Sequence, residues 1–183
     1  MLAAARELAV QDGFSGLTLE KVAQRAGVTR LTIYYQFGSR QALLEEMLDY
    51  MAESGQLMTR LPRAFQKQDA LDALDEFIAA FCAFWSSDQI GLRRLRGWAH
   101  LEPGFEEQGR GRDAWRKEGL QVLITKLRAQ YAVPAKSALQ DTIDVLHTLT
   151  SFETYDNLAH GRRTPAAVEL LLKRTARALL GLP

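Results

Sequence analysis

Residues 18–40, TLEKVAQRAGVTRLTIYYQFGSR, constrain the fold of this chain more than any other stretch. Thr18 supplies a hydroxyl cap for a short helix whose Leu19, Val22 and Ala23 recur at helical spacing as one apolar face. Ala26 permits close helix approach, Gly27 accepts the left-handed backbone that ends a helix, and Val28 fills the corner. Thr29 caps a second short helix, anchored inward by Ile33 and Phe37, four residues apart. Gly38 stops that helix and Ser39 caps the next. Two short helices joined by so tight a turn predict a helix-turn-helix, a motif that places its second helix in the major groove of DNA.

The charge distribution agrees. Lys21, Arg25, Arg30 and Arg40 fall within residues 21–44, which contain no acid. The whole chain carries 23 basic and 22 acidic residues, a net charge of +1, so attraction to a polyanion must come from this local patch. With 183 residues, 47% of them hydrophobic, the chain can bury a real core. Its single cysteine, Cys82, cannot form an internal disulfide, which fits a reducing cytosol. No signal-peptide pattern is visible, and no run reaches the ~18 apolar residues that span a bilayer. A cytoplasmic protein without a membrane partner is expected.

Helical periods run through almost every other stretch, so the chain reads as all-α. A first helix is predicted over about 2–12, and Ser39 starts a fourth with Leu43, Leu44, Met47 and Met51 inward. Gly55 and Pro62 mark residues 55–68 as a joint. The expected division is a three-helix DNA-binding domain over 1–54, followed by a helical ligand-binding and dimerisation domain over 55–183. Asp69 opens a helix seamed by Leu71, Leu74, Ile78, Phe81 and Trp85, and Ser86-Ser87-Asp88 re-caps a helix over 89–101. Pro103, Gly104, Gly109 and Gly111 suggest an irregular connection. A long helix holds Trp115 to Tyr131, another spans 136–159, and Thr164-Pro165 starts the last, running to Leu180. The last two helices are apolar on more than one face, where a monomer's surface helix needs only one stripe. The surplus predicts a homodimer seam, a four-helix bundle drawing on Leu139, Ile143, Leu146, Phe152, Val168, Leu171, Leu172 and Leu179. The alternative is burial of both stripes within one subunit.

The run ARELAVQDGFSGLTLEKVAQRAGVTRLTIYYQFGSRQALLEEML, residues 5–48, resembles the tetracycline-repressor (TetR) family of bacterial transcriptional regulators. The family's signposts stand as Gly13-Phe14, Thr18, Ala23, Ala26-Gly27-Val28, Ile33-Tyr34-Tyr35, Phe37-Gly38-Ser39 and Leu43-Leu44. The resemblance implies a three-helix DNA-binding domain, an all-helical ligand domain and a homodimer. It also leads one to expect a short basic arm before the first helix, where Met1 here runs straight into Leu2-Ala3-Ala4-Ala5. Phosphate contacts are expected from Tyr34, Tyr35, Gln36, Ser39 and Arg40, with Thr18 and Lys21 from the preceding helix. Base reading is expected from Arg30, Leu31 and Thr32, with Thr29 beside them. Tyr35 reads equally as a packing residue, Leu31 could lie against a neighbouring helix, and Lys21 reads also as a solvated lysine.

In the second domain Phe77, Phe81, Phe84, Trp85, Trp98, Trp115, Phe152 and Tyr155 supply enough aromatic surface to line a cavity, with His100 and His147 to orient a ligand. Any one of these aromatics taken alone reads better as simple core. The histidines have no metal-ligand spacing, so neither a metal nor another cofactor is expected. No nucleophile motif, phosphate-cradling glycine loop or carboxylate pair points to an enzyme. These features read together as a ligand-responsive transcriptional regulator, a repressor released from a palindromic DNA operator by a small apolar or amphipathic effector. The rival is a helical small-molecule-binding protein or enzyme with a tethering DNA-binding module.

Overall fold

Hydroxyl side chains set the starts of the helices around the motif. In the computed structural model, Thr18 Oγ1 accepts from the backbone N–H of Lys21, Thr29 Oγ1 from that of Thr32, and Ser39 Oγ from that of Ala42. Each such cap contributes about 1 kcal/mol. The structure describes residues 1–13, 16–99, 103–131, 139–161 and 163–182, and among them the chain is all-α. The helices are α1 (Leu2–Asp12), α2 (Leu19–Ala26), α3 (Arg30–Phe37), α4 (Arg40–Ser54), α5 (Leu57–Gln66), α6 (Ala70–Ser87), α7 (Gln89–Ala99), α8 (Pro103–Gln130), α9 (Leu139–Leu149), α10 (Phe152–Ala159) and α11 (Pro165–Leu180).

Contacts divide the chain into two compact units, one of residues 1–54 and 88–109, the other of residues 55–87 and 110–183. In the first, α1 packs on α2, α4 and α7, and α3 packs on α2 and α4. Leu8, Leu17, Val22, Ile33, Phe37, Leu43, Leu44 and Met47 make its core, joined by Leu95 of α7. Burying a side chain of this size stabilises the fold by about 1.5–3 kcal/mol. Gly27 ends α2 at φ 66°, a left-handed conformation that a side chain would oppose, and its N–H returns to the carbonyls of Ala23 and Gln24. Within this unit α7 thus packs on α1, the helix that also supports α2 and α4.

The second unit is organised around α6, against which α5, α10 and α11 pack. α6 is apolar on nearly every face, as a central helix must be, with Leu74, Phe77, Ile78, Phe81, Phe84 and Trp85 all buried. Its start is held by Asp69, whose carboxylate accepts from the N–H groups of Leu71 and Asp72 and from the Tyr131 hydroxyl. Those bonds, led by the Tyr131 one, hold the Asp69 carboxyl below the usual range. Cys82 is 3% exposed on the same helix, and burial pushes its thiol up to about 12.

Three stretches depart from the sequence expectation. Residues 55–68 contain a helix, α5, because Leu57, Leu61 and Ala64 bury one face and carry Pro62 within the helix. Residues 103–111 belong to α8, with Pro103 at its first position, where a missing N–H costs nothing. The expected helix over 136–159 is two: α9 ends at Leu149, and Ser151 caps α10 by accepting from the Thr154 N–H. The end of α9 is closed from within the unit. Trp85 Nε1 donates to the Thr150 carbonyl at 3.1 Å and Arg116 Nη1 to the His147 carbonyl at 2.8 Å.

Candidate nucleic-acid interface and effector pocket

α3 buries only Ile33 and Phe37 and turns the rest of its surface outward. Tyr35 is 82% exposed, Leu31 62% and Tyr34 42%. Thr29, Arg30, Thr32 and Gln36 are exposed as well. Of the alternatives open for Tyr35 and Leu31, packing within the unit is therefore not what they do. Such exposed apolar and aromatic groups on one short helix are what contact with another surface requires. Arg30 is pre-arranged: its guanidinium lies 5.4 Å from the centroid of the Tyr34 ring and 3.9 Å from Glu20 Oε1. The Thr29 and Thr32 hydroxyls are 2.8 Å apart, so the two residues act as one polar unit at the start of α3.

The flanking candidates divide into two kinds. Thr18, Lys21 and Ser39 are exposed at the starts of α2 and α4, where free N–H groups favour an anion. Lys21 lies 3.7 Å from Asp12, an exposed pairing that a phosphate can displace at little cost. Arg40 is half-buried, and its Nε donates to the Leu17 carbonyl at 2.8 Å. That bond ties the start of α4 to the turn ahead of α2, so Arg40 positions two helix starts at once. Arg25 is held by Gln11 and Glu7.

In the second unit the aromatic residues form a continuous chain of ring contacts. Phe65 meets Phe77 edge-on at 6.2 Å, Phe77 meets Phe81 at 4.9 Å, Phe81 meets Trp85 at 5.8 Å, and Trp85 meets both Phe84 and Phe152. One end of this chain opens into a cleft of about 240 Å³ between α5, α6 and α8, lined by Leu61, Phe65, Phe77, Trp115, Gly119 and Val122, with Arg116 and Glu118. Of the expected ligand residues, Phe77 and Trp115 line this cleft, Phe81 stacks behind it, and Phe84, Trp85, Phe152 and Tyr155 are buried core. The side chain of Trp98 and all of His100 lie outside the described residues. Leu61, Phe65, Gly119 and Val122 line it beyond the residues that aromatic content points to, and the lone Gly119 within a long helical period is the one sequence signal for it.

Arg116 is 3% exposed yet fully engaged. Its Nη1 donates to the His147 carbonyl and Thr150 Oγ1, and its Nη2 to Asp113 Oδ1 at 3.0 Å, with His147 Nε2 at 2.9 Å. Burial, then the Arg116 charge, holds the His147 imidazole below its usual pKa. No group of three or more His, Cys, Asp or Glu placed to hold a metal occurs among the described residues, and no described helix is long and apolar enough to cross a membrane.

The expected seam residues Ile143, Leu146, Phe152, Val168 and Leu172 are buried in the second unit's own core. Leu139 and Leu171 are half-buried and Leu179 is 44% exposed. The large apolar groups that α9 and α11 leave outward are Val145, Leu170 and Leu179. A groove of about 710 Å³ runs along α11 past Leu170, Leu171, Arg174, Ala178 and Leu182.

Residues 1–47 match the family model described as bacterial regulatory proteins, tetR family. The chain is 47% identical over 45 residues to the HTH-type transcriptional regulator AlkX of Mycobacterium tuberculosis, covering 25% of this chain and 21% of that protein. It is 30% identical over 94 residues to the nucleoid occlusion factor SlmA of Vibrio cholerae, covering 51% of this chain and 46% of that protein. These alignments thus span less than half the length of either relative. The crystal structure of a TetR-family transcriptional regulator from Thermus thermophilus aligns with a TM-score of 0.73 and 17% identity, covering 99% of this chain and 97% of that one. That likeness is one of fold.

Proposed function

We propose that the chain, whose residues 1–47 match the tetR family of bacterial regulatory proteins, works as a homodimeric repressor, released from a palindromic operator when a small apolar molecule enters the second unit. The observation that carries this reading is the outward face of α3. Leu31, Thr32 and Tyr35 stand exposed on it, beside Arg30, at the centre of an acid-free stretch. Arg30 suits guanine O6 and N7, while Leu31 and the Thr32 methyl suit thymine methyls. Thr18, Lys21, Tyr34, Gln36, Ser39 and Arg40 suit the flanking phosphates.

A second copy fits along α11, where the groove beside Leu170 and Leu171 presents apolar surface. Two recognition helices related by a two-fold axis would then read an inverted repeat. The cleft beside Phe77 and Trp115 supports the effector part of the reading. Selection of bound sequences from a random DNA pool tests the proposal. An inverted repeat is expected, with affinity that falls as salt rises. Equal affinity for selected and random DNA at moderate salt would reject it.

A further inference from the structure

Glycine inside a helix costs about 1 kcal/mol relative to alanine, so Gly119 in the middle of α8 calls for a reason. A Cβ there would stand 3.1 Å from Phe77 Cε2 and 3.2 Å from Phe65 Cζ. The missing side chain is therefore what lets the two rings approach α8 and leaves the cleft open between them. At its rim Phe65 is 39% exposed, Trp115 47% and Val122 59%, three large apolar groups left partly in water around one opening.

The charges beside the cleft decide what it can hold. Both terminal nitrogens of Arg116 bond to Asp113, His147 and Thr150, none of which lines the cleft. Its charge is matched there by Asp113. Glu118 stands exposed among the lining residues and adds a negative charge. An incoming anion meets that carboxylate and must be buried among aromatic rings, and both effects oppose it. Size is limited too. A cavity of about 150 Å³ holds benzene, and drug-sized sites begin near about 300 Å³. At about 240 Å³ this one suits one or two fused rings.

We propose that this cleft is a binding site for compact, uncharged aromatic molecules of about two fused rings, and that it excludes their carboxylates. The inference rests on the effector reading above only for its consequence on DNA, so binding and release are measured separately. Calorimetric titration of the intact protein with β-naphthol, β-naphthoate and pyrenemethanol tests the site. β-Naphthol is expected to bind, with the carboxylate weaker by about tenfold or more and pyrenemethanol excluded. Gly119→Ala, which narrows the opening, is expected to weaken β-naphthol by about tenfold with unchanged helical circular dichroism. No binding of β-naphthol up to its solubility, or equal binding of the carboxylate, would overturn the inference, and neither result depends on a variant. β-Naphthol that binds without lowering operator affinity would support the site and overturn the effector reading instead.

Discussion

Arg6 on α1 donates from Nε and Nη2 to the two carboxylate oxygens of Asp88, at 2.5 and 2.6 Å. Asp88 also accepts from the Gly91 N–H at 3.2 Å, so one carboxylate starts α7 and fastens it to the helix that supports the DNA-binding motif. The Asp88 side chain is only 10% exposed. A Cβ on Gly91 would collide with that carboxylate.

Asp88→Ala leaves Arg6 without its partner and α7 without its cap. The expected loss is about 1–3 kcal/mol, a fall in melting temperature of roughly 2–4 °C per kcal/mol for a chain of this size. Gly91→Ala is expected to destabilise by displacing the same carboxylate, and the two changes should not add. Thermal unfolding of both single variants and the double variant measures this. Strict additivity would mean that Gly91 acts independently of Asp88.

Leu31 and Arg40 should fail differently. Leu31→Ala is expected to alter preference among sequences by about 1–3 kcal/mol at the base pair it touches. Arg40→Ala is expected to weaken all sequences alike and to lower the salt slope by about one. It also frees the turn it holds through the Leu17 carbonyl. Binding titrations over a salt series, against the selected site and its point variants, separate the two.

Leu170→Glu is expected to yield a folded monomer, since Leu170 is 59% exposed on α11. Leu172→Glu, two residues on but 2% exposed, is expected to unfold the second unit, because an unpaired buried charge costs several kcal/mol. Sedimentation with circular dichroism distinguishes these outcomes. Loss of the dimer should weaken operator binding by about 10²–10⁴, as two half-sites no longer bind as a linked pair.

His147 makes stability depend on pH. Its folded pKa lies below the ordinary value because of burial and the nearby Arg116 charge. As pH falls through about 6.5 the unfolded chain takes up a proton before the folded one does. Stability is therefore fully present above that pH and is lost as pH falls toward the folded value. Urea unfolding at about pH 7.5 and about pH 5.5 should show the loss, and His147→Gln should reduce it.

Much of the fold is legible in the sequence where the signal is local. Thr18, Thr29, Ser39 and Thr164-Pro165 announce helix starts, and Gly27 a helix end, through bonds made within a few residues. Where tertiary packing decides, the reading fails. Pro62 looks like a break, yet burial of Leu57 and Leu61 keeps α5 helical around it. The period over 136–159 runs on through the break at Thr150 and Ser151, because the partners that close α9, Trp85 and Arg116, are 65 and 31 residues away from Thr150 and His147. The outward face of α3 could be listed residue by residue from the motif. The cleft could not, since it needs Phe65 and Gly119 brought together from stretches read as a joint and a plain helix.

The burial of Cys82 has a practical consequence. A thiol raised to about 12 is almost wholly un-ionised at neutral pH and hardly reacts with maleimides. A cysteine introduced at exposed Gln36 would therefore take a spin label or fluorophore alone, with the native residue left in place. In a symmetric pair of subunits the two labels form a ruler laid between the recognition helices. Its reading, with and without a bound aromatic, would report in solution how far apart those helices stand.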